Sequence, residues 1–388
     1  MSMREVFRIL YAPQKAFKEI IQKPGYKGPL IVMLLFVLSF SGFYYLLSAK
    51  VYYDQTAPKL TDLDKWTEDA GLWHSKFGAN VTINTADYIK GSYYGNRSIQ
   101  FALENSTKID MELEIPESLN CVEPYSYSNL TFRIKIVKPL DNPAHIDVYL
   151  FSENATDKYF KYSLPGNNLK IGVWNNETIL LKDFEGVQGA DWKNITSLRF
   201  ELAWSDRQDD IMVLVDGVFF HGVYESLLDM SGSAVILNSV ISGFMQFTVQ
   251  WVILGVILYL FLKIFRVQPI WKTILVISGF TLITFFIQNL ILIGVVLAYP
   301  EMHLSLVTLG GVSGEGWTVD AQNFMSILTI KYDVLDRIVY YICVVTLCSI
   351  AVRLLFNFPW MRSISVSFLS SVISMLAFRF LIYGGVWL

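Results

Sequence analysis

Hydrophobic and polar positions divide this chain into two kinds of stretch. Five apolar runs, Leu30–Ser48, Ala234–Leu262, Thr273–Tyr299, Ile338–Phe356 and Ser363–Leu388, match the roughly 20 residues a helix needs to cross ~30 Å of hydrocarbon. The second is long enough to tilt or protrude. Between the first two runs the period changes to two: Leu130, Phe132, Ile134 and Ile136 alternate with Thr131, Arg133 and Lys135. The same alternation recurs at Ile109, Met111 and Leu113, at Ile146, Val148 and Leu150, and at Leu198, Phe200 and Leu202. Half-buried strands follow this pattern, and turn clusters such as Asp141-Asn142-Pro143 and Pro165-Gly166-Asn167-Asn168 separate them. Short strands with no helical pattern between them predict an antiparallel β-sandwich over 71–222. The fold class is therefore a multi-domain membrane protein, a five-span α-helical bundle with a jelly-roll-like sandwich inserted between spans one and two. Residues 50–70 read as a stalk and 300–337 as a loop. In 1–29, Val6, Phe7, Leu10, Ala16, Phe17, Ile20 and Ile21 sit among basic side chains, which predicts an amphipathic helix on the membrane interface, broken near Pro13.

Charge orients the spans, because cytoplasmic loops hold the Lys and Arg excess. Arg4, Arg8, Lys15, Lys18, Lys23 and Lys27 precede span one. Lys263, Arg266 and Lys272 follow span two, and Arg353 and Arg362 bound the loop before span five. The segment before span four carries Glu301, Glu315, Asp320, Asp333 and Asp336 against Lys331 and Arg337. The expected topology puts the N-terminus inside, with 50–233 and the C-terminus outside. A second signal agrees: Asn-x-Ser/Thr sequons at Asn80, Asn96, Asn105, Asn129, Asn154, Asn176 and Asn194 all fall in that one outside segment. Seven N-glycosylation sites are therefore expected on the exoplasmic face. No signal peptide is read before the first run, which is expected to serve as an uncleaved anchor. A net charge of -3 over 388 residues gives no basic surface for nucleic acid, so that partner is excluded. Cys121 is alone in the polar half, so no disulfide is expected within the sandwich, as on an archaeal cell surface.

Two resemblances rest on particular residues. Ile9-Leu10-Tyr11-Ala12-Pro13-Gln14-Lys15-Ala16-Phe17-Lys18-Glu19-Ile20, with Pro24 and Pro29-Leu30, resembles the opening of the Yip (Ypt-interacting protein) domain family, and so do Trp271–Phe280 and the last two spans. That resemblance covers the chain outside 50–233 and implies five spans, a cytoplasmic N-terminus and a role in organising membrane traffic or a membrane complex. Family members usually have a short loop where this chain carries a domain. Trp192–Phe200 and Ile211–Phe220 resemble the jelly-roll modules of the galactose-binding and carbohydrate-binding type. That likeness implies a structural calcium held by Asp216, whose carboxylate is a suitable hard ligand. An Asp216–Gly217 turn without metal is the competing reading.

Catalytic signatures are scarce. No HExxH or P-loop occurs, and Gly311-Val312-Ser313-Gly314 has the Gly-x-Ser-Gly form of an intramembrane serine protease with no histidine after Ser313 to activate it. A non-enzymatic protein is expected. Gln246, Gln250, Gln288 and Asn289 are intramembrane amides suited to interhelical hydrogen bonds or, on a rival reading, to a transport path. Arg379 lies past the middle of the last span, where an unpaired guanidinium costs ~2.5–3.5 kcal/mol, so a partner is expected among Glu301, Asp320, Asp333 and Asp336. Sugar-binding sandwiches use exposed aromatic rings. Trp192 leads into a strand and reads as core. Trp174, before the sequon at Asn176, and Trp204, before the charged turn 205–210, are the expected exposed pair. The partners expected are the lipid bilayer, and a glycan or envelope protein outside. The rivals are a Yip-like organiser with a membrane-complex partner, and a transporter.

Overall fold

Every alternating run is a strand in the structure, a computed structural model that describes residues 3–122, 127–153, 157–187, 189–205, 208–313 and 316–383. Asn154 and Gly314 lie outside the described residues. The strands are β1 (Val51–Ala57), β2 (Trp73–His74), β3 (Asn80–Asn84), β4 (Ser98–Ser106), β5 (Lys108–Leu119), β6 (Asn129–Lys138), β7 (His145–Ser152), β8 (Tyr159–Pro165), β9 (Asn175–Leu180), β10 (Glu185–Val187), β11 (Ile195–Ala203), β12 (Asp209–Ser226) and β13 (Met302–Leu304). They form two sheets. One runs β10-β8-β7-β11-β5-β2, and the other β13-β1-β12-β4-β3, with β6 beside β12 and β9 beside β6. The pairings among β2 to β12 run antiparallel.

The apolar members of each alternation meet between the sheets. Phe132 on β6 and Phe200 on β11, both fully buried, bring their rings within 4.5 Å of each other across that core. Burying one such ring contributes about 1.5–3 kcal/mol. The 18-residue β12 keeps its alternation through a bulge: Val215 and Val218 face the core while Asp216, Phe219 and His221 face the other way. Gly217 makes the bulge, with φ +56° and a Tyr94 ring atom 2.6 Å from where a Cβ would sit, so the Asp216–Gly217 pair is a bulge within a strand rather than a turn.

The expected stalk is part of the sandwich. Val51–Ala57 is a sheet strand, and Trp66 is 3% exposed in the core, where its carbonyl accepts a hydrogen bond from Trp73 Nε1. Its sequence hid this because β1 buries polar groups, Asp54 and Thr56, which leave no apolar period.

A second compact unit holds five helices long and apolar enough to cross a membrane. After α1 (Met3–Tyr11) and α2 (Pro13–Gln22) these are α3 (Lys27–Lys50), α4 (Ser233–Ile264), α5 (Trp271–Ala298), α6 (Val319–Phe356) and α7 (Trp360–Tyr383). The N-terminal break falls at Ala12, before Pro13. The apolar face of α1 and α2 does not stay free for lipid: Val6, Ile9, Ala16, Phe17 and Ile20 are buried in the same core as α3 to α7. α6 begins at Val319 rather than Ile338, so 319–337 is helix and not loop. Its charged residues made that stretch look like a loop; Asp333 and Arg337 do stay exposed on the helix, but Lys331 is sheltered. Lys331, 7% exposed, donates to Tyr44 Oη at 2.7 Å under the rings of Phe40, Phe43, Tyr44 and Tyr332.

Candidate functional site

The polar members of the alternation compose the outer surface of the six-stranded sheet. Register places them in rows across β5, β11, β7 and β8: Glu114, Ser197, Phe151 and Tyr159; then Glu112, Arg199, Tyr149 and Lys161; then Asp110, Glu201, Asp147 and Ser163. Rings, acids, bases and hydroxyls thus stand about one strand spacing, ~4.8 Å, apart. Arg199 donates from Nε to Glu112 at 2.7 Å and its guanidinium lies 4.5 Å from the Phe151 ring centre. The Tyr149 ring is flanked by Tyr159 at 5.5 Å and by the Lys161 ammonium at 5.2 Å. Lys161 also reaches Asp147 at 2.8 Å. Burial alone would raise the Asp147 carboxyl, but its bonds from Lys161 and Ser163 outweigh it and hold it below the usual carboxylate range. Glu112 is thus paired with Arg199 and Asp147 with Lys161, which orders those side chains, while Tyr149, Tyr159, Lys161, Arg199 and Glu201 remain partly open to solvent.

The centre of the other sheet's outer surface is closed, while its edge positions Thr82 and Thr178 are exposed. Thr131, Arg133, Asp216, Phe219 and His221 are all under 10% exposed there. Ile89, Tyr94 and Leu306 lie over Phe219 as a small apolar cluster. Asp54 ties the cover down, accepting hydrogen bonds from the amides of Gly222 at 2.7 Å and Leu306 at 3.0 Å and lying 3.0 Å from His221 Nδ1.

Sequence reasoning pointed to other residues for ligand contact. Trp204 is 6% exposed in the core, its Nε1 donating to the Asp141 carbonyl at 3.0 Å, so the expected exposed pair is broken. The charged turn after it had suggested exposure, but the ring turns inward. Trp174 is half-buried over the closed sheet, with Nε1 donating to Asp87 at 2.8 Å. Neither stands on the open face. That face was nonetheless legible, since Asp110, Glu112, Asp147, Tyr149, Arg199 and Glu201 are the residues between the apolar positions of three strands that the alternation marks. Among the described sequon asparagines, Asn80, Asn96, Asn105 and Asn176 are exposed and Asn129 and Asn194 half-buried. No sequon asparagine falls within β5, β7, β8 or β11, the strands of the open face, but the sequon at Asn194 runs into the start of β11 and that at Asn105 ends just before β5.

Asp216 is fully buried and accepts from the amides of Ile89 and Gly217, both at 2.7 Å, and from the Thr67 hydroxyl at 3.2 Å. Asp64 faces it, equally buried, with Oδ2 lacking a hydrogen-bond partner among the described residues. Burial first, then the Asp64 charge, raises Asp216 well above the carboxylate range, and burial raises Asp64. Two facing carboxylates with an orphaned oxygen fit one shared proton or one hard cation. For calcium, which takes 6–8 oxygens, Asp64 and Asp216 would be the charged ligands. Among the described residues no group of three or more His, Cys, Asp or Glu converges, so hydroxyl, main-chain or water oxygens would complete the shell.

In the bundle, Gln288 Nε2 donates to Asp336, whose Oδ2 lies 3.9 Å from Arg379 Nη2, and Arg379 also donates to the Tyr332 carbonyl at 3.3 Å. Asn289 donates to Ser39 Oγ at 3.2 Å. Gln250 is 7% exposed with Oε1 lacking a hydrogen-bond partner among the described residues, and Gln246 lines a groove of about 460 Å³ with Tyr44 and Asn238.

No family model matches the chain, and no curated protein does. Among solved structures it is similar to the family 11 carbohydrate-binding module from Clostridium thermocellum, seen with a beta-1,3-1,4-mixed-linked tetrasaccharide: 16% identity over 44% of this chain and 95% of that one, with a TM-score of 0.30. A family 30 carbohydrate-binding module matches at 15% identity over 40% of this chain and 92% of that one, with a TM-score of 0.29.

Proposed function

We propose that this is a non-enzymatic membrane protein that offers the open face of its six-stranded sheet to a glycan on the exoplasmic side. The observation that carries this reading is the ordered array around Tyr149, Tyr159, Arg199 and Lys161 on the outer surface of the six-stranded sheet. A sugar ring offers an apolar face that packs on an aromatic side chain, and hydroxyls that need donors and acceptors on either side. Here the rings stand beside carboxylates that accept and cations that donate. Mutual pairing of those charges suits a neutral glycan better than a polyanion. Glycans at the predicted sites would sit at the ends of these strands, at Asn194 and Asn105, rather than along their middle. A calcium ion between Asp64 and Asp216 is part of the proposal as a structural group only.

The test uses the full chain in nanodiscs on a glycan array. Tyr149→Ala and Arg199→Ala are expected to cut binding of any retained glycan about tenfold or more, losing a stacking or charge-assisted contact. Trp174→Ala, on the closed sheet, should leave it unchanged. No retained glycan, or equal loss in all three variants, would overturn the reading.

An organiser of a membrane complex, as the Yip resemblance implies, is the second reading. Leu10 and Tyr11 of α1 favour it, since they are 39% and 69% exposed, apolar side chains left uncovered for a partner.

A further inference from the structure

The bundle also has a cavity that none of this explains. It is a half-open pocket of about 380 Å³ between α2, the end of α6 and the start of α7, lined by Gln14, Lys18, Arg353, Asn357 and Trp360, with Ile350, Leu354 and Phe358 as its apolar wall. Lys18 and Arg353 supply two positive charges. The Arg353 guanidinium stacks on the Trp360 ring at 4.2 Å and makes no hydrogen bond or ion pair among the described residues, so its in-plane donors are unspent. Lys18 likewise has no acidic partner among the described residues, for Glu19 is already bound to Arg8 at 2.8 and 3.0 Å. No other acid is close in sequence: residues 263–272 and 353–362 contain none.

Backbone dipoles add to the side chains. Gln14 lies in the first turn of the 10-residue α2, and Trp360 opens the 24-residue α7. Helix N-termini carry partial positive charge and bind anions; in α2 Pro13 has no N–H and the Lys15 and Ala16 amides already donate to the Ala12 carbonyl, so the contribution of α2 is its dipole and Gln14. The C-terminal carbonyls of α6 oppose this, but they weigh a fraction of a charge against two full cations. An anion-binding pocket with an apolar wall, at the membrane end of a helical bundle, matches the chemistry of a phosphate group.

We propose that this cavity binds a phosphate-bearing anion, with Arg353 as the planar donor, Lys18 as the second cation, and the first turns of α2 and α7 completing the cradle. The ligand would bridge α2 to α6 and α7 and so fasten the N-terminal helices to the bundle. The shared chemistry has two sources, the headgroup of an anionic phospholipid or a soluble phosphate.

Titration calorimetry on the full-length protein in neutral detergent tests it, using inorganic phosphate, short-chain phosphatidylglycerol and short-chain phosphatidylcholine. Phosphatidylglycerol is expected to bind about tenfold or more tighter than phosphatidylcholine, and the double variant Lys18→Gln/Arg353→Gln to weaken it by a similar factor. Lys272→Gln, which removes an exposed charge outside the cavity, should change affinity less than about twofold. Phosphate binding as tightly as phosphatidylglycerol identifies a soluble source; phosphatidylglycerol binding alone identifies lipid. Should the double variant fail to fold, hydrogen exchange on the wild type decides. The anion should slow exchange in the first turns of α2 and α7. Neither anion binding, a double variant that binds as the wild type does, or no slowing overturns the proposal.

Discussion

The sandwich and the bundle bury polar groups by different means. In the sandwich, buried carboxylates accept main-chain amides from loops: Asp110 takes the amides of Lys76 and Phe77, both at 2.9 Å, and Asp54 those of Gly222 and Leu306. A loop laid over a sheet leaves its amides without strand partners, and an acid that collects several of them fixes the loop's path. In the bundle the helices satisfy their own amides, so hydroxyls turn back on their own helix, as Thr281 does to the Ser278 carbonyl at 2.8 Å and Ser349 to the Val345 carbonyl. Contact there depends on close approach instead. At Gly279 of α5 a Cβ would lie 2.6 Å from Trp251 Nε1 and 2.7 Å from Pro29 Cβ. Specificity lies in charge-to-backbone pairing in one unit and in small-to-large packing in the other.

Mutations in each unit should separate these mechanisms. The largest effect is expected from Phe200→Ala, which empties the ring site facing Phe132 and should cost about 3–5 kcal/mol. Denaturation of the full chain, followed segment by segment by hydrogen exchange, should show loss of protection in the sandwich strands before the helices. A cost below about 1 kcal/mol would mean the sheets do not depend on that core. Next in size is Gly279→Leu, an overpacking expected to cost about 1–3 kcal/mol and to lower helix melting in detergent while the sandwich transition stays in place. A movement of both transitions together would break the distinction between the units.

How far the chain could be read follows the same division. Period two is a strong signal wherever one face of a strand is buried and the other wet, and β5, β6, β7 and β11 were all legible from it. β1 was not, because Asp54 and Thr56 occupy its buried positions and the signal needs apolar ones. The start of α6 failed for a related reason, since Lys331 and Asp336 are charges held inside the packed bundle by partners distant in sequence, Tyr44 and Gln288. The open face was present in the sequence as the polar half of each alternation, but its rows exist only through register. Tyr149 and Arg199 are 50 residues apart and face one another only because β7 and β11 pair. Trp174 and Trp204 were misleading because a neighbouring turn predicts where the backbone surfaces, not which way an indole points.

The smallest effect is the most discriminating, because it concerns a place where two buried carboxylates meet each other. Asp64 and Asp216 face each other rather than only amides, and both carboxyls are raised. A folded acid with a raised pKa binds a proton that the unfolded chain has released. The pair's contribution is therefore fully present below about pH 4 and lost as pH rises through the raised folded values. In a chelator, the sandwich transition of the full chain should weaken as pH climbs from about 4 to 7.5. Asp64→Asn removes one of the two charges and should flatten that slope. Calcium would reverse the sign, since a cation stabilises both ionised carboxylates, and should raise the wild-type melting temperature at pH 7.5 but raise it less in the variant. If calcium leaves the wild type unmoved while the slope persists, the pair shares a proton and holds no metal. If wild type and variant have the same slope, the pH dependence arises elsewhere.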